Sequence, residues 1–303
     1  MMIILRFKII LFLPIMFLVS NCSKKTADLE TQLVKRDNIF FEKNHKKPYN
    51  GLTYSLYSNN KKKISGNLID GKKNGLWIEW YENGNKKSEE YYMEGKADGT
   101  WKLWYKNSRI KLLGNYINGK ANGIRTEWYE NGQKKEEGKF KNDKFDDKWT
   151  KWYPNGTISG EGFYVNNKEH GKHVLWYPSG NKKSEANFID GEIVGFRMEW
   201  YENGQKKEEG TAEGLWTQWH KNGNKKGEGY YKNKLPVGNH ILWYESGQKQ
   251  SEMKFINGNP NGLRIEWYED GQIKEKGNFV NGHQNGEWVY YDKDGSIDLI
   301  EKY

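Results

Sequence analysis

The chain has 303 residues, a formal charge of +9, 15% aromatic and 35% hydrophobic residues, with 34 glycines against 6 prolines. Few aliphatics beside many aromatics and glycines exclude a helical core and fit thin, strand-based structure. A single cysteine, Cys22, excludes an intrachain disulfide, a thiolate zinc cluster and a Cys-x-x-Cys redox pair, and the positive charge is interleaved with glutamate rather than gathered in the patch that nucleic acid needs.

In chain order, residues 1–21 read as a signal peptide. Arg6 and Lys8 form a positive start, and Ile9 to Val19 is an unbroken apolar run. As a helix that run spans about 16 Å, too short to cross a bilayer. It ends in Leu18-Val19-Ser20-Asn21-Cys22, which resembles a bacterial lipobox, with Asn21 standing where Gly or Ala is commoner. The alternatives are an ordinary signal peptide beside an incidental cysteine, or an uncleaved anchor. The lipobox implies lipidation of Cys22, export, and a place in the cell envelope, in a leaflet the sequence does not choose. Residues 22–50 then read as a lipidated cysteine and a polar tether, with a short helix expected near Asp28–Val34.

From residue 51 to 303 the chain repeats. Gly51, Gly75, Gly99, Gly123, Asp147, Gly171 and Gly195 are 24 residues apart, and after a unit shortened by 5 at residues 195–213, Gly214, Gly238, Gly262 and Gly286 resume the period. Trp80, Trp104, Trp128, Trp152, Trp176, Trp200, Trp219, Trp243 and Trp267 keep the same count, with Leu56 opening the series and Tyr290 read as closing it. An Asn-Gly step recurs inside the units, as at Asn83-Gly84 and Asn131-Gly132, with variants such as Ser179-Gly180 and Asp270-Gly271, and a second turn separates units, as at Asn118-Gly119. Asn-Gly between alternating runs signals a hairpin, because both residues tolerate positive φ. The expected fold is all-β: an elongated single-layer antiparallel sheet of tandem 24-residue hairpins, about ten units and roughly 100 Å long.

Strand alternation assigns the faces. With a loop at Glu130-Asn131-Gly132, Trp128 lies opposite Lys134, and Glu127 reaches Lys135 in an ion pair repeated as Glu79–Lys87, Glu199–Lys207 and Glu266–Lys274. A two-residue turn would flip this pairing. The tryptophans are expected to stack as the core, with Gly138 leaving room beside the Trp128 ring. Tyr81, Tyr105, Tyr129, Tyr153, Tyr177, Tyr201, Tyr244 and Tyr268 follow the tryptophans directly and are expected on the opposite face as an exposed ladder, the candidate binding surface.

These units resemble MORN repeats in their bacterial, antitoxin-like variant. Asn167-Lys168-Glu169-His170-Gly171 and Gly282-His283-Gln284-Asn285-Gly286 carry the nearest matches to the end of the familiar motif; elsewhere its His is Asn or Asp. The resemblance spans Gly51 to Tyr303 and implies the hairpin sheet. It further implies scaffolding, lipid binding or partner recruitment, or an antitoxin or immunity role against a cognate toxin.

No G-x-S-x-G, H-E-x-x-H or P-loop occurs, so no catalytic residue, cofactor or metal is assigned. Gly160-Glu161-Gly162 and Gly227-Glu228-Gly229 lack the third glycine of a dinucleotide fingerprint, and His170 with His173 lacks a third ligand. The expected function is a non-enzymatic, membrane-anchored repeat protein that presents an extended surface to a protein or an envelope component. A glycan or lipid ligand is the alternative occupant. Three departures from the repeat stand out: Phe145-Asp146-Asp147-Lys148, the deletion at Thr211-Ala212-Glu213, and Asn233-Lys234-Leu235-Pro236-Val237. The deletion is expected to bend the array and divide it into two arms.

Overall fold

The computed structural model describes residues 25–303. Successive strands pair with their neighbours in one open sheet of 25 strands, antiparallel except at its first strand. The tandem-hairpin architecture read from the period is the observed one.

The sheet begins with a cap. β1 (Thr26–Asp28) runs parallel to β4 (Gly51–Leu56) and covers the edge of the first unit. Between them β2 (Leu33–Arg36) and β3 (Ile39–Glu42) form a separate hairpin. Ala27, Leu33, Tyr49, Leu68 and Trp77 close a small apolar core there. This corrects the expectation of a tether with a helix at Asp28–Val34. The Asp28 carboxylate accepts the backbone N–H groups of Glu30 and Thr31 at 2.8 Å, turning the chain where a helix would have to begin. Ala27 and Leu33 have apolar partners to bury against, so strands win.

Each repeat is then a strand, a loop, a strand and a turn, as in β4, the loop after it, β5 (Lys62–Ile69) and the turn that leads to β6 (Lys72–Trp80). The loop closes as expected. Tyr129 N–H donates to Gln133 C=O at 2.8 Å around Glu130-Asn131-Gly132, with Gly132 at φ 92°, and Trp128 pairs Lys134. A bulge then inserts Lys135, so Glu127 pairs Glu136 and Arg125 pairs Gly138. The turns between units, such as Asn118 (φ 51°) and Gly119 (φ 85°), have two positive φ values and join Ile117 to Lys120. At the departure at residue 147, Asp147 adopts φ 113° in place of glycine, and its carboxylate pairs Lys139 at 2.9 Å.

The bulge redistributes the faces. Gly138 does not sit beside Trp128. It lies under Trp149, which comes three residues before Trp152. The series closes at Tyr291, not Tyr290: Tyr291 is the residue that pairs across the last loop, with Ile297. The deletion does not divide the array, because Lys206–Gly210 still bridges Glu192–Trp200 and Gly214–Trp219.

Candidate binding surface

Two columns of side chains, flat except for Leu68, alternate along one face. The first is Trp77, Trp101, Arg125, Trp149, His173, Arg197, Trp216, His240, Arg264 and Trp288, one per unit. The second is Leu68, Tyr92, Tyr116, Phe140, Tyr164, Phe188, Tyr231, Phe255 and Phe279. They interleave: Trp101 lies 4.7 Å from Tyr116 and 5.5 Å from Tyr92, and His173 5.2 Å from Tyr164 and 5.0 Å from Phe188, centroid to centroid. Several first-column groups lie on a glycine. A Cβ at Gly66, Gly162, Gly229 or Gly277 would run into the ring of Trp77, His173, His240 or Trp288. Ring N–H groups donate to a backbone carbonyl ten residues earlier, Trp77 to Asn67 at 3.1 Å, His173 to Phe163 at 2.7 Å and Trp288 to Asn278 at 3.2 Å. His173 is therefore a buried member of the stack, and His170 is exposed. Among the described residues no group of three His, Cys, Asp or Glu is placed to hold a metal.

The Trp80 series occupies the opposite face and is half-buried, not the principal core. A one-layer sheet has no second layer to cover it. Lysines from the preceding hairpin do so in part: Lys134 lies 5.5 Å from Trp152, Lys182 5.6 Å from Trp200 and Lys206 5.3 Å from Trp219. The same lysines pair Glu137, Glu185 and Glu209 at 2.8, 2.8 and 2.7 Å. The four ion pairs expected across the loop are present, at 3.7 Å for Lys135–Glu127 and 2.9 to 3.0 Å for Lys87–Glu79, Lys207–Glu199 and Lys274–Glu266. Lys172 and Lys182 hold the Glu185 carboxyl below its ordinary range. For Glu199, burial pushes upward but is outweighed by Lys207 and Arg197, and the carboxyl again lies low.

The candidate tyrosines are half-buried rather than an exposed ladder, and their hydroxyls are committed. Tyr81 donates to Trp104 C=O at 2.8 Å, Tyr105 to Trp128 at 2.7 Å, Tyr129 to Trp152 at 2.9 Å and Tyr153 to Trp176 at 2.8 Å. Tyr177, Tyr201, Tyr244 and Tyr268 do the same to Trp200, Trp219, Trp267 and Tyr291, each at 2.9 Å. His220 substitutes for a tyrosine by donating Nε2–H to Trp243 C=O at 2.9 Å. Each phenol thus ties its loop to the next unit. Cys22 lies outside the described residues.

What the sequence reading missed is a stripe beside the turns between units, on the Trp80 face. Leu76, Tyr91, Met93, Ile117, Ile124, Phe163, Val165, Ile189, Phe196, Ile256 and Leu263 all project there, with Ile124 61% and Phe196 55% exposed. Their spacing follows the period, as Ile117, Ile189 and Ile256 before the turns and Leu76, Ile124, Phe196 and Leu263 after them show. The sign was available in the sequence as apolar residues at alternate positions around each turn, and the tryptophans drew attention from it.

Six segments, 73–94, 121–142, 148–166, 169–190, 212–233 and 260–281, match the family model described as "MORN repeat variant". The array is built of MORN repeats. These lie on both sides of the deletion, with residues 191–211 of the shortened unit outside the matched segments. No curated protein matches the sequence. Among solved structures, the TCP10 domain of Danio rerio CPAP in complex with a peptide of Danio rerio STIL is similar at 14% identity over 78% of this chain and 97% of that one, with a TM-score of 0.23. TcdB2-TccC3 is similar at 10% identity over 84% of this chain, with a TM-score of 0.18, and the array spans only 19% of it. A Photorhabdus luminescens Tc holotoxin pore is similar at 12% identity, covering 84% of this chain and 18% of that one, with a TM-score of 0.17.

Proposed function

We propose that this MORN array is a non-enzymatic scaffold whose apolar stripe is a binding surface for a protein partner. The observation that carries the reading is the stripe itself. Soluble monomers rarely leave large apolar side chains in a contiguous run along one face, and such runs mark interaction sites. Here they recur unit after unit at 37% to 61% exposure among Leu76, Ile117, Ile124, Phe163 and Phe196. The tyrosines serve the scaffold through their hydroxyls, which leaves the stripe as the surface with unused apolar area. No catalytic role is assigned to the repeated carboxylates, since they pair repeated lysines.

The sequence adds an address. The apolar run from Ile9 to Val19 and the cysteine that follows it support export and an acyl anchor on Cys22, which would hold the array at an envelope membrane. Cys22→Ser releasing the chain from the membrane fraction is the expected result; retention of the variant would reject the anchor.

Affinity capture with the full chain and with the Ile117→Lys, Phe163→Lys double variant tests the surface. A protein recovered by the former and lost with the latter supports the reading, and that partner's sequence would tell a toxin from an envelope component. Partners held equally by both chains would reject the stripe.

A further inference from the structure

The unit shortened by 5 residues shows what the deletion removes. Elsewhere the strand after the loop runs on past its column position to the turn, as in Lys134–Lys141 and Lys225–Lys232; here it stops at Gly210. Three losses follow.

The first is a strand partner. In other units the residues that open the hairpin pair with the following strand, Gly75 with Tyr92 and Leu76 with Tyr91, or Gly214 with Tyr231 and Leu215 with Tyr230. Gly195 and Phe196 pair with no strand, and Phe196 is exposed. The second is an acceptor. Trp216 pairs Gly210, where an added Cβ would meet the edge of its ring and the backbone of Leu215 and Trp216. Trp77, Trp101, Trp149 and Trp288 all donate their ring N–H; among the described residues Trp216 alone of this column's tryptophans does not. The third is a ring. The second column has no member between Arg197 and Trp216, because the chain passes through Thr211-Ala212-Glu213 instead. Lys234 makes no ion pair among the described residues, and its backbone N–H does not make the bond that Gly119 and Gly258 make to Ala97 and Pro236.

The array itself shows what fills such a place. A second-column residue packs beside the ring, and the carbonyl just before it takes the ring N–H: Asn67 C=O before Leu68, Phe163 C=O before Tyr164, Tyr230 C=O before Tyr231. A short extended segment with one aromatic residue supplies both at once, and its backbone pairs where Gly195–Phe196 is open. We propose that this notch is a docking site for such a segment of a partner protein, its ring completing the column between Arg197 and Trp216. The proposal rests on the scaffold reading in taking the partner to be a protein.

The probe is the array's own filling. A fluorescein-labelled peptide of residues 137–141, Glu-Gly-Lys-Phe-Lys, is titrated onto the full chain and read by anisotropy, beside the same peptide with alanine for phenylalanine. The expected preference for the aromatic peptide is about tenfold or more. Binding falls by a similar factor when five residues carrying a phenylalanine are inserted to restore the unit. Trp216→His keeps an N–H, as His173 and His240 do, and retains binding, whereas Trp216→Phe weakens it. Equal binding of both peptides, undiminished binding to the restored chain, or no binding overturns the proposal. Phenylacetate competing as well as the peptide would show a ring pocket without strand pairing and also overturn it. The Ile117→Lys, Phe163→Lys chain is expected to bind the peptide normally, so failure of the stripe and failure of the notch are read separately.

Discussion

A tyrosine hydroxyl and a missing Cβ add to the backbone pairing that joins successive units. Tyr153 ties its loop to Trp176 C=O at 2.8 Å, a bond to the next unit rather than within its own hairpin. Tyr153→Phe keeps the ring and leaves that carbonyl without its partner. The expected loss is about 0.5–1.5 kcal/mol, seen as a lower urea midpoint with unchanged slope; an unchanged midpoint would show that water replaces the phenol without cost. Glycine acts in the opposite sense, by leaving space. A methyl at Gly162 would enter the His173 ring, which is only 8% exposed and held by Phe163 C=O. Gly162→Ala is therefore expected to cost about 1–3 kcal/mol, the usual range for overpacking. Stability equal to the parent would mean that the ring can move off its glycine. The sequence showed these glycines as a periodic mark but assigned Gly138 to the wrong tryptophan, because one bulged residue per hairpin, Lys135 here, shifts every partner beyond it.

At the scale of the hairpin, charge and aromatic packing share the same lysines. Lys182 spans Trp200 and Glu185, and Lys134 spans Trp152 and Glu137. Lys134 holds Glu137 low against a smaller opposing push from burial, and Lys172 and Lys182 hold Glu185 low. A carboxylate whose folded pKa lies below its unfolded value adds stability above the unfolded pKa, and that contribution is lost as pH falls through the folded value. The urea midpoint is accordingly expected to hold from neutral pH down to about 5 and to drop below roughly 4, where unfolded glutamate titrates. Glu185→Gln should flatten that drop. A midpoint independent of pH down to 3 would remove these pairs from the account. The loop and its ion pairs were legible because Asn-Gly fixes the turn and the charges repeat in register. The cap at residues 25–50 was not, since its strands are short, unrepeated and stabilised by contacts with the first unit.

For the whole molecule, each strand touches its sequence neighbours, so stability is a sum of local terms and has no single centre. The cap closes one edge, and the notch is the weak joint. Lys206–Gly210 has 5 residues where Lys182–Ile189 has 8, and Gly195–Phe196 lies unpaired beside it. Amide hydrogens from Lys206 to Gly214 are expected to exchange well before those of Lys182 to Ile189, measured by mass spectrometry on the free chain. Uniform protection across the joint would show that the deletion is fully healed.

The period, the hairpin loops, the open all-β sheet and the ion pairs were determined by the sequence alone. All follow from residues close in the chain, where turn chemistry and alternation leave little choice. The tertiary structure decided which flat side chains stack, that the tyrosines face a carbonyl of the next unit, that residues 25–50 cap the sheet, and where apolar surface stays uncovered. Those outcomes depend on contacts between units. A bulge of one residue or a deletion of 5 changes them without altering the repeat that a reader of the sequence sees.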